Sequence, residues 1–449
     1  MTMAIGGRQT GQIVVVLCGV QFVDVLGATV VITALPQLLA DLGATAAEGS
    51  VVVAAYAMTF GGLLLVASRV GDRVGHRRIM LASLALFAAA GAIGAVAASV
   101  WLLAAARALQ GLAAAASVPA ALRLLTTLTP AGDSRRRAVA GWSAAGAAAG
   151  ASGFVVGGVL TELASWRSVF VVFVLLAALL AVGIARSVPR DRPASSPVHI
   201  AWLPGLLLTG AAMGVVAGST LVAEADGRVF GGAVTAAGVA TAVGFVVVER
   251  RATRPLVAPA AWGSAALRWG AFGSFGNTAT TSGSFTVAML YLQGELGLTP
   301  LRAAGLLVAF SLMVVAGSAS APRVIATTGW GPALGCGLGI IGVGNGVLVA
   351  WPAAPGIAVA AAISGLGIGI GSVAATDMGT NLTEALKATA AGVLNTAAQL
   401  GTALGTALVL LVATTLGTST AWALTAGLAV SAAMAAARFS PRSATHLRR

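Results

Sequence analysis

The feature that most constrains this chain is a succession of apolar stretches, each near the length a helix needs to cross a bilayer. About 20 mostly apolar residues cover the hydrocarbon core. Fourteen stretches meet that measure: residues 13–35, 51–67, 79–98, 101–125, 138–160, 169–185, 200–222, 229–248, 269–292, 303–321, 332–350, 357–376, 388–414 and 420–437. In lipid a lone stretch can satisfy its backbone hydrogen bonds only as a helix. Composition removes the soluble alternatives. Hydrophobic residues make up 58% of the chain and charged residues 9%, against about 25% charged in a soluble domain. Such a chain can neither cover a water-facing surface nor stay disordered. An all-α integral membrane protein is expected.

The net charge of +13 does not indicate a nucleic-acid partner, because the arginines punctuate apolar stretches instead of gathering on one soluble face. With the N-terminus in the cytoplasm, the inside breaks carry Arg8, Arg69, Arg73, Arg77, Arg78, Arg135, Arg136, Arg137, Arg186, Arg190 and Arg192. Further along they carry Arg250, Arg251, Arg254, Arg268, Arg323, Lys387, Arg438, Arg442, Arg448 and Arg449. The outside breaks hold only Arg167, Arg228 and Arg302. That asymmetry obeys the positive-inside rule for fourteen spans with both ends cytoplasmic. The first apolar run exceeds a signal-peptide core, so it reads as an uncleaved span.

Two polar connectors, 187–198 and 249–262, bracket spans seven and eight. The expected organisation is a six-helix bundle over 1–187, connectors with two extra spans over 188–266, and a second six-helix bundle with a short tail over 267–449. Two parallel bundles of this kind bind their substrate near the midplane between the halves.

Several polar residues stand out against this apolar background. After span two comes Ser68-Arg69-Val70-Gly71-Asp72-Arg73-Val74-Gly75-His76-Arg77-Arg78. An acid here can accept hydrogen bonds from a neighbouring helix N-terminus, where the dipole favours an anion. Gly75 permits the tight reversal into span three, and the arginines hold the loop at the cytoplasmic surface. Span four buries Arg107 with Gln110 and Gly111; an ionisable residue in a span defaults to a pathway function, the alternative being a structural tie to backbone carbonyls. Span five carries Gly146, Gly150, Gly153, Gly157 and Gly158, whose spacing lets helices approach closely. Asp24 is the acid placed well inside a span of the first bundle, whereas Asp41, Glu48, Asp72 and Glu162 fall near ends or in loops. Gln21, Gln110, Asn277, Thr281, Gln293 and Asn345 are candidates to line a substrate path, although intramembrane Ser, Thr and Asn also glue helices together. Asp377 reads as a boundary residue at the end of span twelve.

The loop 68–78 resembles the signature loop of the major facilitator superfamily, Gly-x-x-x-Asp-Arg-x-Gly-Arg-Arg, with Ser68 at the first Gly and His76 at an Arg. Arg107-Ala108-Leu109-Gln110-Gly111 resembles the superfamily's Arg-x-x-Gln-Gly. The glycines of span five, followed by Ser165-Trp166-Arg167 and Phe170, are similar to the antiporter motif and the Ser-Trp-Arg-x-x-Phe of drug exporters. Phe154 occupies the usual Pro position and Phe173 stands where an Asn often follows, departures that weaken the case for a kink like that of typical antiporters. Thr29 with Ala34-Leu35-Pro36 resembles the first span of fourteen-span exporters, where Gly27 replaces an Asp and Ile32 an Asn. Asp24 lies one turn from Gly27 on a similar face. Tyr291-Leu292-Gln293 and Gly392 to Gly405 resemble stretches of the same family, and the loop around Arg323 corresponds to the signature loop without its acid.

The resemblance covers nearly the whole chain and implies a fourteen-span drug:proton antiporter with the major facilitator fold. It would export a small hydrophobic or cationic drug or secondary metabolite by alternating access across a bacterial plasma membrane. The resemblance implies Arg107 for proton coupling and Asp72, Arg73, Gly75, Arg77 and Arg78 for the conformational switch. Asp24, the acid inside a span one turn from Gly27, is expected to take the place of the family's acid in proton coupling. Burial opposes ionisation of a carboxyl group and a nearby Arg favours it, so Asp24 can carry the proton only where burial outweighs Arg107. The alternative is a superfamily symporter importing a nutrient, and more remotely a multispan membrane enzyme. No Walker-type phosphate loop is present, so the proton gradient is the expected energy source, with no cofactor. His76, His199 and His446 form no metal set, and Cys18 and Cys336 no disulfide. Membrane lipid and a small-molecule substrate are the expected partners of a monomer.

Overall fold

The computed structural model describes residues 7–130, 132–191, 200–223, 227–253 and 255–438. Arg192, Pro193, Pro197, His199, Arg254, Arg442, His446, Arg448 and Arg449 lie outside them. Among the described residues there are fourteen long helices: α1 (Gly7–Leu42), α2 (Ala46–Val74), α3 (His76–Ala95), α4 (Val100–Leu128), α5 (Asp133–Leu163), α6 (Trp166–Ser187), α7 (Trp202–Val222), α8 (Arg228–Arg251), α10 (Ala265–Gly294), α11 (Pro300–Thr328), α12 (Trp330–Ala350), α13 (Ala354–Gly379), α14 (Glu384–Leu416) and α15 (Thr418–Ala437). A short helix, α9 (Pro259–Trp262), lies in the second connector.

Each expected span falls on one long helix, but the helices overrun the apolar stretches because capping chemistry ends them. α2 begins at a capping box, in which the Thr45 amide donates to Glu48 Oε2 (2.8 Å) and the Glu48 amide to Thr45 Oγ1 (3.2 Å). Gly75, at φ 104°, ends α2 and starts α3, a conformation that favours glycine. α4 starts where Ser99 Oγ accepts from the Leu102 amide at 3.2 Å.

By length and apolarity, twelve helices can cross a membrane, and α5 makes a thirteenth. α10 is as long as its neighbours but is not among them. Its middle carries Asn277, Thr278, Thr280, Thr281, Ser282 and Ser284, of which Asn277, Thr280, Thr281 and Ser284 are buried among other helices. α5 bends by 41° between Gly150 and Ser152 although Phe154 stands at the motif's usual proline position. A serine replaces the proline as the cause: Ser152 Oγ donates back to the Ala148 carbonyl at 2.8 Å, and Ser311 of α11 donates to the Gly150 carbonyl at 2.8 Å. Both bonds draw carbonyls out of the helical ladder.

Helix pairing repeats along the chain. In the first six helices α1 packs on α5, α2 on α4, and α3 on α4 and α6; in the last six α10 packs on α14, α11 on α13, and α12 on α13 and α15. The two sets meet along α2–α14 and α5–α11, again equivalent positions in the two repeats. α7 lies against α2 and α14, and α8 packs on α7 alone among the described elements. Close approach in that hairpin needs glycine. A Cβ on Gly214 would stand 2.8 Å from the Gly238 Cα across the pair.

Candidate functional site

Asp24, in the middle of α1, is 7% exposed. Its carboxylate accepts a hydrogen bond from the hydroxyl of Tyr56 on α2, which also lies 3.2 Å from the Asp24 carbonyl. The Tyr56 ring in turn carries Arg107 of α4, whose guanidinium carbon is 4.4 Å from the ring centroid. That cation–π contact contributes about 0.5–2 kcal/mol. Arg107 is 1% exposed and donates from Nη1 to Gln110 Oε1 at 2.9 Å. Among the described residues no ion pair joins Asp24 to Arg107. Tyr56 stands between them.

The Arg-x-x-Gln-Gly stretch explains this arrangement. A Cβ on Gly111 would stand 3.0 Å from the Tyr56 carbonyl carbon, so glycine lets the α2 and α4 backbones touch. Thr59 Oγ1 seals the contact by donating to the Ala108 carbonyl at 2.8 Å. Tyr56 is thereby set beneath Arg107, four residues before Gly111. Arg107 Nε, Gln110 Nε2 and, one turn before Asp24, Gln21 Oε1 are buried and uncommitted to any partner. Buried polar atoms are normally paired; these three lie on the helices that carry Asp24 and Arg107, and uncommitted buried polar atoms also occur elsewhere, at Asn277 and Asn345 among others.

The glycines of α5 divide between two neighbours. Gly146, Gly150, Gly153 and Gly157 face α1: Cβ atoms there would stand 3.1 Å from Gln21 Nε2, 3.9 Å from Val25, 2.7 Å from Thr29 Cβ and 2.7 Å from the Val30 carbonyl oxygen. Gly158 turns to the other half, where its Cβ would stand 2.9 Å from Ala304 Cβ and 3.0 Å from Leu301 Cα of α11. Beside it, Glu162 Oε2 accepts from the Leu301 amide at 3.0 Å. Gln293 Nε2 of α10 donates to the Thr33 carbonyl of α1 at 3.0 Å. The halves are thus tied near the face opposite the signature loop. Gln293 belongs to that tie and not to an open path.

At the signature loop the structure departs from the expected tie of Asp72 to a neighbouring helix N-terminus. Asp72 is 44% exposed and accepts from His76 Nε2 at 3.1 Å, four residues along. The anion at a helix N-terminus is Asp191, from the connector after α6: it accepts from the amides of His76 (2.5 Å) and Arg77 (3.1 Å) in the first turn of α3. Arg77 reinforces this docking by donating to the carbonyls of Val188 (2.8 Å) and Ala185 (2.9 Å). Arg69 holds the second connector through the carbonyls of Leu256 (2.7 Å) and Pro255 (3.2 Å). Arg73 and Arg78 are exposed.

Other expected residues are structural ties. Trp166 Nε1 and Arg167 Nη1 both donate to Asp41 at the end of α1 (2.9 and 3.0 Å), closing the first six helices at the far face. Asn345 Nδ2 donates to the Thr280 carbonyl at 3.0 Å, and Thr281 to the Asn277 carbonyl at 2.7 Å, inside the last six helices. Asn277 itself is fully buried with both amide atoms uncommitted. Asp377 accepts from Trp330 Nε1 at 2.8 Å at the end of α13. Tyr56, Asp191 and Glu162 were not among the sequence candidates. Tyr56 had a signal, being one of two tyrosines in the chain and lying mid-span; the other two depend on folding to reach their helix termini.

Comparison with known proteins follows the same lines. The profile of the Major Facilitator Superfamily matches residues 17–406. The cephamycin export protein CmcT of Amycolatopsis lactamdurans is 33% identical over 293 residues, 60% of this chain and 58% of that protein. The puromycin resistance protein pur8 of Streptomyces alboniger is 34% identical over 308 residues, 68% of this chain and 60% of that protein. The chain thus spans about three-fifths of the length of both relatives. The tetracenomycin C resistance and export protein of Streptomyces glaucescens is 30% identical over 411 residues, 89% of this chain and 75% of that protein. Among solved structures, the human organic anion transporter MFSD10 superposes with a TM-score of 0.66 at 16% identity, over 95% of this chain and 99% of that one. A peptide transporter superposes with a TM-score of 0.73 at 13% identity, over 97% and 95%. At those identities the solved structures share the fold alone. A chain of repeated helix pairings whose profile match runs from α1 into α14 is a multi-pass membrane protein and belongs to the major facilitator superfamily.

Proposed function

We propose that this protein exports a small hydrophobic or cationic compound, of the antibiotic or secondary-metabolite class, in exchange for protons. The observation that carries the proposal is the buried carboxylate of Asp24, bonded to a tyrosine hydroxyl and, among the described residues, not ion-paired to Arg107, whose guanidinium lies over the same ring. A carboxylate locked in a salt bridge is a fixed charge. One held by a neutral hydroxyl can take up a proton without breaking an ion pair. The relatives named for export and resistance support the outward direction, and the superfamily supports a secondary carrier over an enzyme.

The carrier sits in the bacterial plasma membrane as a monomer, with fourteen spans and both termini cytoplasmic. Residues 1–187 and 267–449 form the two rocking bundles, and 188–266 the connectors with the extra helix pair. The halves are joined at the face opposite the signature loop, while α4 and α13 do not meet among the described residues. This arrangement fits a carrier open toward the cytoplasm. Asp24 loads the proton, and Arg107 and Gln110 move with α4 as the site changes access.

Substrate-induced proton release from proteoliposomes between pH 5 and 9 tests the coupling. Asp24→Asn is expected to abolish uphill export while the protein inserts normally; wild-type coupling in that variant would refute the role of Asp24. A susceptibility panel in an efflux-deficient host, with and without an uncoupler, identifies the substrate class. A cysteine label at Gly227 is expected to react only from outside, and a cytoplasmic reaction would remove the extra helix pair from the topology.

A further inference from the structure

A cavity of about 540 Å³ opens where the C-terminal end of α8, the second connector, α9 and the first turn of α10 come together. Its lining changes character with depth. Phe245 and Val246 form one wall. That wall continues the exposed apolar surface of α8, on which Val243, Val246 and Val247 all face outward. Since α8 packs on α7 alone among the described elements, this surface faces lipid. At the mouth the lining becomes Arg250, Arg268 and the exposed indole of Trp262, the residue types that mark a membrane–water boundary.

Among the described residues the charges at the mouth are not matched by an ion pair. Arg250 makes no ion pair and no side-chain hydrogen bond among the described residues. Arg268 uses Nη1 on the carbonyls of Trp262 (2.6 Å) and Gly263 (3.2 Å), which orients the guanidinium and leaves Nε and Nη2 uncommitted among the described residues. The one acid in the lining, Glu249, points its two oxygens at the amides of Leu256 (3.0 Å) and Val257 (2.7 Å), folding the connector back to form the floor. Two cations thus flank an opening whose inner wall is apolar and continuous with the bilayer.

We propose that this cavity binds an anionic phospholipid, with its phosphate between Arg250 and Arg268 and an acyl chain along Phe245 and Val246. Guanidinium groups match phosphate oxygens in geometry and charge, and basic pockets at a membrane surface select acidic headgroups. A free phosphate ester would satisfy the arginines but would leave the apolar wall without a role. The proposal rests on the membrane placement of the chain and not on the transported compound, so its failure leaves the export reading intact.

The test is native mass spectrometry of the full-length protein in detergent, titrated with phosphatidylglycerol, phosphatidylcholine and inorganic phosphate. One phosphatidylglycerol is expected to bind at least about fivefold more tightly than phosphatidylcholine, and Arg250→Gln to weaken it about fivefold, the worth of one basic residue near an anionic surface. Arg250 has no side-chain partner to lose among the described residues, so the variant should fold, and Arg302→Gln at the opposite face serves as a control without effect. Independently of any substitution, retention of phosphatidylglycerol should fall with added salt while that of phosphatidylcholine does not. Equal binding of the two lipids, or unchanged binding in Arg250→Gln, would overturn the proposal. Displacement by millimolar inorganic phosphate would overturn it in favour of a soluble phosphate ester.

Discussion

Replacing Gly158 with alanine should shift the balance between the two access states of the carrier. The added Cβ would stand 2.9 Å from Ala304 Cβ, 3.0 Å from Leu301 Cα and 3.1 Å from the Pro300 carbonyl oxygen. Two of these three atoms are backbone, so no rotamer change relieves the contact. Overpacking of this kind costs about 1–3 kcal/mol. Because α5 and α11 belong to different halves, the cost falls only on the state in which the face opposite the signature loop is closed. The population open at that face should then rise about 5- to 150-fold. Spin labels at Leu163 and Leu296, with Cys18 and Cys336 replaced by alanine, would report the separation by double electron–electron resonance. Two companions isolate the cause. Gly157→Ala meets the Val30 carbonyl oxygen at 2.7 Å inside one half, so it should lower thermal stability without favouring either state. Gly150→Ala has nothing nearer than 3.9 Å and should behave as wild type. A folded Gly158→Ala protein with an unchanged distance distribution, or an equal shift in Gly150→Ala, would refute the reasoning.

Tyr56→Phe keeps the ring beneath Arg107 but removes the hydroxyl from the Asp24 carboxylate. A hydrogen bond to a charged group contributes about 1.5–3 kcal/mol, so proton-coupled turnover in proteoliposomes should fall about 10- to 150-fold with substrate binding retained; unchanged turnover would take Tyr56 out of the proton path. Asp191→Ala removes the acceptor at the N-terminus of α3. Loss of a helix cap costs about 0.5–2 kcal/mol, and hydrogen exchange at the His76 and Arg77 amides should quicken about 2- to 30-fold; a change of charge at Asp72 should not do this. Glu162→Gln weakens the tie to the α11 N-terminus and should increase labelling, from the far side, of a cysteine introduced at Gln293, whereas reduced labelling would mean that Glu162 holds the halves apart.

The amino-acid sequence by itself determined the class of molecule and its helices. Bilayer thickness sets a length and lipid enforces backbone pairing within each segment, so each run read from the sequence falls on a long helix, although α10 is less apolar than a span requires by itself. The motif glycines were legible for the same local reason: small residues spaced by three and four declare a contact face, though not which helix lies against it. Only the tertiary structure decided that Gly157 serves α1 while Gly158 serves α11, because adjacent residues on a helix point about 100° apart toward different partners. The bend of α5 was hidden because a serine and a cross-half hydrogen bond do what the sequence pattern assigns to proline. Asp24 and Arg107 could be named from their charge in an apolar setting, since burying a charge is costly wherever it happens. That Tyr56 lies between them, and that Asp191 rather than Asp72 holds a helix N-terminus, depends on side chains 32 and 115 residues from their partners. Such pairings are selected by packing geometry, which one-dimensional pattern does not encode.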